Sequence, residues 1–362
     1  MARTPRRWRG SVRRGARSGT NGSGPSGEAR LNRIQVRKSV DGPLYAALDL
    51  GTNNCRLLIA TPQAGGFRVL DAFSRIVRLG EGASRSGALR ESAMRRTISA
   101  LRVCANKITW WNARQTRLIA TEACRVAENG AEFIARVAAE TGLELEIIDR
   151  ESEARLAAAG AAPLLDQGAE NVVVFDIGGG STELMWLSIT AGSQEIVEWT
   201  SIPAGVVTMA ELYGGVEVDE EVFAAMRGHI RPALDGFVAR LAAKGIDIAG
   251  ADHLLGTSGT VTTICGVHLR LKRYDRSRVD GCWLTSQDIA TVTGQLRAMT
   301  FAERSASPCI GRERADLVLA GCAILEEIRN LWPHCAVRVA DRGLREGILT
   351  DLMMRAGTYG RS

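Results

Sequence analysis

Two short segments of the chain repeat a pattern of acid, glycine and polar residues, and the more glycine-rich copy constrains the fold most. Residues 175–183 read Phe-Asp-Ile-Gly-Gly-Gly-Ser-Thr-Glu and follow the apolar run 172–174, which is typical of a buried strand. Because glycine tolerates positive φ and has no side chain, the backbone of such a turn can approach an anion closely, and successive N–H groups can surround it. Asp176 can hold a metal ion, and Glu183 returns a second carboxylate to the same cleft. The segment therefore indicates phosphoryl chemistry.

A second copy of the pattern lies in residues 48–57, which read Leu-Asp-Leu-Gly-Thr-Asn-Asn-Cys-Arg-Leu. Asp49 aligns with Asp176 of the first segment. Arg56 stands where that segment has Glu183. A repeat of this kind predicts two related α/β domains that face each other, each with a phosphate-binding turn. Two ordinary glycine-rich hairpins would explain either copy alone, since short glycine motifs have many false matches, but they explain the matched pair less well.

Composition sets the broad class of the protein. A chain of 362 residues, 45% of them hydrophobic, is long enough for two domains with ample cores. No apolar run reaches the roughly 20 residues that span a bilayer, and the basic N-terminus lacks the apolar segment of a secretory signal. We therefore expect a cytoplasmic protein without membrane association. The eight cysteines stand singly, which predicts free thiols rather than a zinc site or a disulfide framework.

The net charge of +6 is concentrated in an N-terminal tail. Residues 1–40 contain 11 Lys and Arg and one acid, against 35 Lys and Arg and 39 acids in the rest of the chain. A segment so rich in Arg, Gly and Ser cannot bury enough apolar surface to fold, so we expect a disordered tail. A plain tail, or an over-long start-site assignment, is the simpler interpretation. A weak contact between its arginines and a polyanion such as polyphosphate or RNA stays open.

Beyond the tail, the pattern predicts an α/β layered fold. Three strands over residues 44–49, 55–61 and 67–77 form a meander, and helical periodicity covers residues 88–109. Strands and helices then alternate along the chain, which favours two mostly parallel strand sets with crossover helices. Asp149 is a candidate cap for the helix that carries Glu151, Glu153 and Arg155.

The repeat also suggests domain boundaries. Domain I would span residues 41–160 and carry the first phosphate loop, and domain II would span residues 161–345 and carry the second. Residues 346–362 would form a C-terminal helix and tail that packs back on domain I.

Two further segments carry candidate anion contacts. Residues 256–260, Gly-Thr-Ser-Gly-Thr, lie between an apolar strand and an apolar helical segment, so their N–H groups can bind an anion at the positive end of the helix dipole. A simple helix cap by Ser258 or Thr260 is the alternative, and both can hold together. Either Arg342 or Arg345 could bind phosphate or form a surface ion pair of little energetic consequence.

Several enzyme classes are not indicated. The four histidines show no His-x-x-x-His spacing, so acid–base work must fall to carboxylates. The chain has neither the Gly-x-x-x-x-Gly-Lys-Ser/Thr motif of P-loop NTPases nor the Gly-x-Ser-x-Gly motif of serine hydrolases.

Taken together, these segments resemble the exopolyphosphatase/guanosine pentaphosphate phosphatase (Ppx/GppA) family of the actin, sugar-kinase and heat-shock-70 superfamily. The resemblance covers about residues 44–350 and implies two actin-like, ribonuclease-H-like domains around a central phosphate-binding cleft. Longer family members carry an additional HD-type domain, and this chain looks like the two-domain form. The segments that carry the resemblance are 49–53, 78–82 (Arg-Leu-Gly-Glu-Gly), 121–125 (Thr-Glu-Ala-Cys-Arg), 153–156, 176–183, 256–260 and 343–347.

The resemblance implies roles for individual acids. Glu153 matches the family's general base toward the attacking water, although Ser152 replaces the first glutamate of the family's Glu-Glu-Ala-Arg motif. Glu183 matches a second essential glutamate that helps hold metal or position water. Asp49 and Asp176 match the acids near the divalent ion, which we expect to be Mg²⁺ or Mn²⁺.

The implied phosphate ligands belong to the three turns and to one arginine. They are Gly51, Thr52, Asn53, Asn54, Arg125, Gly178, Gly179, Gly180, Ser181, Thr182, Gly256, Ser258, Gly259 and Thr260.

The function implied by the resemblance is metal-dependent hydrolysis. The enzyme would release terminal orthophosphate from inorganic polyphosphate, or the 5′-phosphate of guanosine pentaphosphate in the stringent response, and a homodimer is expected. A nucleotide-dependent kinase or ATPase of the same fold remains an alternative, as does a non-catalytic sensor of polyphosphate or alarmone.

Overall fold

Two mixed β-sheets, one for each copy of the repeated motif, form the framework of the protein. The computed structural model describes residues 42–190 and 193–360. The basic tail predicted over residues 1–40 lies outside this part of the chain. The described residues form a single compact unit, and the predicted boundary between domains at residue 160 stays a prediction.

The first sheet has the strand order β3-β2-β1-β4-β5. Strands β1, β2 and β3 pair antiparallel as a meander, and β4 and β5 extend the sheet in parallel beside β1. The central strand β1 is almost entirely buried, as expected for a strand covered on both faces. The strands are β1 (Tyr45–Leu50), β2 (Asn54–Gln63), β3 (Gly66–Ile76), β4 (Gln115–Ala120) and β5 (Glu146–Ile147).

The second sheet has the order β10-β11-β9-β6-β7-β8 and the same topology. Here β6, β7 and β8 form the antiparallel meander, β9 and β11 are the parallel strands, and β10 adds an antiparallel edge. The shared topology is what the internal repeat predicts, but the expectation of mostly parallel sheets was wrong, because each meander adds two antiparallel pairings. The strands are β6 (Asn171–Ile177), β7 (Thr182–Thr190), β8 (Ser193–Ile202), β9 (His253–Gly256), β10 (Trp283–Leu284) and β11 (Val337–Val339).

Helices cover the faces of both sheets. Those of the first part are α1 (Ala83–Ser86), α2 (Glu91–Trp111), α3 (Glu122–Val126), α4 (Gly130–Thr141), α5 (Arg150–Ala161) and the 3₁₀ helix Ala162–Leu164. They are followed by α6 (Val206–Tyr213), α7 (Glu220–Ala243), the 3₁₀ helix Ile248–Gly250, α8 (Gly259–His268) and α9 (Arg276–Val279). The last are α10 (Ser286–Ala298), α11 (Phe301–Ala306), α12 (Val318–Leu331) and α13 (Leu344–Arg355). Among the described residues, no helix is long and apolar enough to cross a membrane.

Helix α5 is the element that connects the two sheets. It begins where predicted, since the Asp149 carboxylate accepts a hydrogen bond of 2.7 Å from the N–H of Ser152. This bond satisfies one of the free N–H donors at the start of the helix. Ala154 and Ala158 pack into the core beneath the second sheet, whereas Leu156 packs into the core beneath the first. The small and apolar residues of α5 therefore place this helix between the two sheets.

The C-terminal helix α13 packs on the first sheet. Its Ile348, Leu349 and Met353 are fully buried and share a core with Tyr45 of β1 and Ile119 of β4. The chain thus returns to the sheet at which its described part begins.

Candidate active site

The two copies of the motif fold into hairpins with equivalent registers. Asp49 of β1 lies opposite Arg56 of β2. Asp176 of β6 lies opposite Glu183 of β7. Since directly opposed residues of an antiparallel pair share one face of the sheet, the first hairpin presents an acid beside a base, and the second presents two acids side by side.

The turns of the two hairpins also close in the same way. We call residues 51–54 the first turn and residues 178–181 the second turn. The N–H of Gly51 donates to the carbonyl of Asn54, and the N–H of Gly178 donates to the carbonyl of Ser181, each over 2.9 Å. The prediction that backbone N–H groups of both turns face a phosphate therefore fails for Gly51 and Gly178, whose N–H groups bond within the turns.

The remaining N–H groups of the second turn are oriented by helix α6. The carbonyls of Gly178 and Gly179 accept hydrogen bonds of 3.0 and 2.8 Å from the N–H groups of Val206 and Val207, at the start of that helix. In a trans peptide the N–H points opposite to the carbonyl, so the N–H groups of Gly179 and Gly180 point away from α6. Both glycines line the central cavity.

The first turn is held from behind in an equivalent way by the segment 77–80. The N–H of Gly80 donates to the carbonyl of Thr52 over 3.0 Å, and the N–H of Val77 donates to that of Asn53 over 2.8 Å. By the same geometry, the N–H of Asn53 points away from the segment 77–80.

The two turns and the start of helix α8 enclose a cavity of about 600 Å³. Its wall includes three of the four predicted acids, namely Asp49, Asp176 and Glu153. Most of the predicted phosphate ligands also lie on this wall: Gly51, Thr52, Asn53, Asn54, Gly178, Gly179, Gly180, Ser181, Ser258, Gly259 and Thr260.

Two predicted ligands next to the turns, Thr182 and Gly256, do not line the cavity. The hydroxyl of Thr182 donates to the carbonyl of Ala204 over 2.7 Å in the interior. Gly256 lies against Phe175, and a Cβ at this position would stand 2.6 Å from the ring. These two residues matter for packing, which their place in the motif does not reveal.

Residues 257–260, the third turn, cap helix α8 and line the cavity at the same time. The Ser258 hydroxyl accepts hydrogen bonds of 3.2 and 3.3 Å from the N–H groups of Thr260 and Val261. The cap interpretation of the sequence is therefore correct for Ser258.

Arg125 contacts protein groups rather than the cavity. Its guanidinium donates to the Glu153 carboxylate over 3.0 Å, to the carbonyl of Ile148 over 2.6 Å, and to the Glu122 carboxylate. It is absent from the cavity wall, so the structure does not place Arg125 as the predicted phosphate contact. It holds the carboxylate of Glu153 in place instead.

The carboxyl groups of the site have raised pKa values. Burial raises the pKa of the Glu153 carboxyl well above its usual range, and nearby Glu183 raises it further, although Arg125 acts in the opposite direction. Burial, together with Glu183, raises the pKa of Asp176 to about 7. The pKa of Asp49 is also raised by burial, with Arg56 opposing.

Glu183 lies behind the wall rather than on it. Its side chain is buried, and its Oε1 accepts a hydrogen bond of 2.7 Å from the Ser201 hydroxyl. Burial raises the pKa of this carboxyl as well. From this position Glu183 acts on the site through its charge.

The oxygen atoms around the first turn fit a hard divalent cation. The amide oxygens of Asn53 and Asn54 are buried without a hydrogen-bond partner among the described residues, and Asp49 and Asp176 line the same cavity. The described residues contain no group of three or more His, Cys, Asp or Glu side chains placed to hold a metal. Mg²⁺ is usually held by one or two carboxylates, with waters and substrate phosphates completing its shell, so the donor set is compatible with such an ion.

Three arginines on the wall were not predicted as a group. Within the part of the chain that the structure describes, Arg56, Arg314 and Arg345 line the cavity with no hydrogen-bonded or ion-paired partner for their side chains. Burial lowers the pKa of Arg314 and of Arg345. Arg342 instead donates to Asp280 over 3.0 Å, so of the two arginines considered earlier only Arg345 is available to an anion. Arg56 was visible in the aligned repeat, whereas nothing in the sequence distinguishes Arg314 from its charged neighbours.

A repeated α/β framework around a cleft of N–H groups, guanidiniums and carboxylates defines a phosphate-handling protein of the actin-like class, as the sequence predicted. The chain matches the model of the Ppx/GppA phosphatase family over residues 58–356 and belongs to that family. Exopolyphosphatase 2 of Mycobacterium tuberculosis is 31% identical over 325 residues, which cover 85% of this chain and 98% of the relative.

Solved structures agree with this assignment. The Ppx/GppA family member of Aquifex aeolicus superposes with a TM-score of 0.71 at 28% identity, over 87% of this chain and 98% of that one. An exopolyphosphatase from Cytophaga hutchinsonii superposes with a TM-score of 0.76 at 24% identity, over 88% of this chain and 100% of that one, and supports the fold alone.

Proposed function

We propose that the protein is a metal-dependent hydrolase that releases terminal orthophosphate from inorganic polyphosphate, from the 5′ end of guanosine pentaphosphate, or from both. The observation that carries the proposal is Glu153, a partly buried carboxylate on the cavity wall with a raised pKa and a fixed orientation. The relative named exopolyphosphatase 2 supports polyphosphate as the first substrate to test.

The terminal phosphoryl group would bind between the first and second turns. The N–H groups of Asn53, Gly179 and Gly180 are the donors oriented toward it, and such preorganised donors are most effective where water is excluded. The free guanidiniums of Arg56, Arg314 and Arg345 would neutralise the phosphates that follow along the chain, since arginine matches phosphate oxygens in charge and geometry.

We expect Mg²⁺ or Mn²⁺ to be held by Asp49 and Asp176, with the amide oxygens of Asn53 and Asn54 nearby. A bound ion of this kind offsets phosphate charge during transfer. Its presence would also keep Asp176 ionised, because a cation opposes the burial that raises the pKa of this carboxyl.

Glu153 would orient a water molecule and accept its proton. Oε2 of Glu153 accepts a hydrogen bond from Arg125, which leaves Oε1 for the water. A carboxylate with a raised pKa is a stronger base near neutral pH than an exposed glutamate. Arg125 and Glu183 therefore support the same step in opposite ways, one by fixing the carboxylate and the other by raising its basicity.

The test is orthophosphate release by the purified protein with Mg²⁺ from long-chain polyphosphate, guanosine pentaphosphate and ATP. Glu153→Gln should lower the rate by about 10²–10⁴-fold while leaving the unfolding transition unchanged. Glu151→Gln is the matched control, because Glu151 lies on the same helix, is exposed and pairs with Arg155. Full activity in Glu153→Gln would refute the assignment of the base.

Two further measurements, of phosphate transfer and of polyphosphate binding, separate the alternatives. Transfer of phosphate from ATP to a sugar, without release from polyphosphate, would indicate a kinase of this fold. Tight polyphosphate binding without release from any substrate would indicate a sensor.

Assembly and location remain proposals from the family resemblance. We propose that the protein is cytoplasmic and forms a homodimer. Light scattering on the full chain would test the dimer. A weak contact of residues 1–40 with polyanions would appear as salt-dependent binding that is lost when these residues are removed.

A further inference from the structure

We propose that Arg78 is a positioning residue that ties the first turn to the segment carrying Arg314 and so holds the cleft in its closed form. The inference rests on the proposed function for its substrate, whereas its structural part can be tested without one. The half of the fold built on β1–β5 is called the first lobe below, and the half built on β6–β11 the second lobe.

The side chain of Arg78 reaches from the first lobe to the second. Its Nη1 and Nη2 donate to the two carboxylate oxygens of Asp316 over 2.9 and 2.8 Å, and Nη2 also donates to the carbonyl of Glu313 over 2.9 Å. A two-pronged arginine–carboxylate pair fixes direction as well as distance. Arg314 and Ala315 lie between these two partners, and the guanidinium of Arg314 lines the cavity.

The backbone of Arg78 and Gly80 is hydrogen-bonded to the first turn. The N–H of Arg78 donates to the carbonyl of Asn53, and the N–H of Gly80 donates to the carbonyl of Thr52, each over 3.0 Å. A Cβ at Gly80 would stand 2.3 Å from Cγ2 of Thr52, so the contact admits no side chain. Movement of Arg78 is therefore transmitted to the turn that would bind the terminal phosphate.

The backbone conformation of Arg78 is an independent sign that its side chain is required. Its φ is +46°, a left-handed value that is unfavourable for residues with a Cβ and is best met by Gly or Asn. Strain of this kind persists where the surrounding structure imposes it and often marks a functional constraint. Here the chain has an arginine where glycine would be less strained.

A second contact between the lobes is made by Gly82 and Ser84, a few residues after Arg78 in the chain. The carboxylate of Glu211, on helix α6, accepts hydrogen bonds from the N–H of Gly82 and from the hydroxyl of Ser84. Because α6 also orients the second turn, the segment 78–84 touches structures connected to both phosphate-binding turns. Of these two contacts, the one made by Arg78 reaches the segment that carries the cavity residue Arg314.

The expected kinetic consequence follows from a two-state cleft. If substrate binds only the closed form, the apparent dissociation constant equals the intrinsic one divided by the closed fraction. Loss of the Arg78–Asp316 contact should therefore raise KM and leave kcat largely unchanged, since saturating substrate restores closure. A residue needed only for folding would instead reduce the active fraction, which lowers the apparent kcat at constant KM.

The variants are Arg78→Gly, which also relieves the backbone strain, Asp316→Asn, and the double variant. We expect each to raise KM for polyphosphate by about tenfold, with kcat within about threefold of the wild type, and the double variant to be no worse than the single ones, because both changes break one contact. Arg95→Ala is the control, since Arg95 is an exposed arginine of the first lobe paired within α2 to Glu91.

Hydrogen exchange of the ligand-free full chain provides the readout that needs no activity. Arg78→Gly and Asp316→Asn should speed exchange both in the first turn and in residues 311–318 of the other lobe, whereas Arg95→Ala should change neither. An unchanged KM, or faster exchange confined to residues 77–82, would overturn the proposal. If the wild type releases no orthophosphate, the proposed function fails and the exchange data still decide the role of Arg78. Asp316→Asn keeps the test valid if Arg78→Gly does not fold.

Discussion

Helices α5 and α13 cross with their backbones in contact, and this crossing predicts that alanine at Gly160 destabilises the protein. A Cβ added to Gly160 would stand 1.9 Å from the carbonyl oxygen of Gly343 and 2.8 Å from the nitrogen of Gly347. A Cβ added to Gly347 would stand 1.8 Å from the carbonyl oxygen of Leu156. Because real Cβ atoms essentially never approach within 3.0 Å, either alanine would require the helices to separate by at least about 1 Å.

The magnitude follows from two opposing effects. Alanine in place of glycine favours a helix interior by about 1 kcal/mol. Overpacking against a site that cannot yield costs about 1–3 kcal/mol and occasionally more. The atoms that Gly160→Ala meets belong to the backbone, which cannot rotate away as a side chain would. Because the cost at such a backbone contact lies in the upper part of that range, we expect a net loss of about 1–2 kcal/mol in the free energy of unfolding.

Urea unfolding followed by circular dichroism measures this loss, with Gly294→Ala as the matched control. Gly294 lies inside helix α10 with open space around the position of a Cβ, so its replacement should stabilise the protein by about 0.5–1 kcal/mol. Since Glu153 lies on the same helix as Gly160, orthophosphate release should also fall in Gly160→Ala under conditions where the variant is fully folded. A stabilising effect of Gly160→Ala, equal to that of Gly294→Ala, would refute the close crossing.

Three further predictions concern groups outside the cleft. Although burial opposes it, hydrogen bonds from Lys107 and Trp111 lower the pKa of Asp71, so its contribution to stability is present above about pH 4 and is lost as the pH falls below that value. Asp71→Asn should flatten the acid side of the profile of unfolding free energy against pH. Arg304 is buried and bonded only to backbone carbonyls, so Arg304→Met should cost about 3 kcal/mol in urea unfolding by leaving those acceptors unpaired. Among the eight free cysteines only Cys282 is not buried, so a disulfide reagent should label about one thiol rapidly in the native protein and all of them after denaturation.

The parts of the site predicted correctly from the sequence are those fixed by local chemistry. An acid at the end of an apolar strand, followed by glycines, forms its turn through bonds between residues three positions apart, so the 49–54 and 176–181 hairpins could be inferred from short segments. The cap of helix α5 by Asp149 is local in the same sense. The extent of β5 is not local in this sense, because only Glu146 and Ile147 pair, beside Ile119 and Ala120 of β4.

The predictions that failed concern features that depend on the reach of long side chains and on packing between distant segments. The family motif predicts Arg125 as a phosphate ligand. In the structure its guanidinium instead pairs with the carboxylates of Glu122 and Glu153, which lie on two separate helices. Nothing in the sequence around Arg314 distinguishes it from an exposed arginine, yet it lies on the cavity wall. An arginine side chain can reach several partners, and which partner it meets is decided only when the chain segments have assembled.

The two hairpins share their register and the bond that closes the turn, and the difference in charge between them arises at one cross-strand position. Arg56 opposite Asp49 lowers the cost of burying that acid, whereas Glu183 opposite Asp176 adds to it. The first hairpin therefore gives the cleft a cation with no partner among the described residues, which suits a chain of phosphates. The second leaves an excess of negative charge that only a proton or a metal ion can neutralise. A duplicated cradle with identical cross-strand pairs would carry the same charge on both sides, so this exchange of arginine for glutamate makes one side of the cleft more basic and the other more acidic.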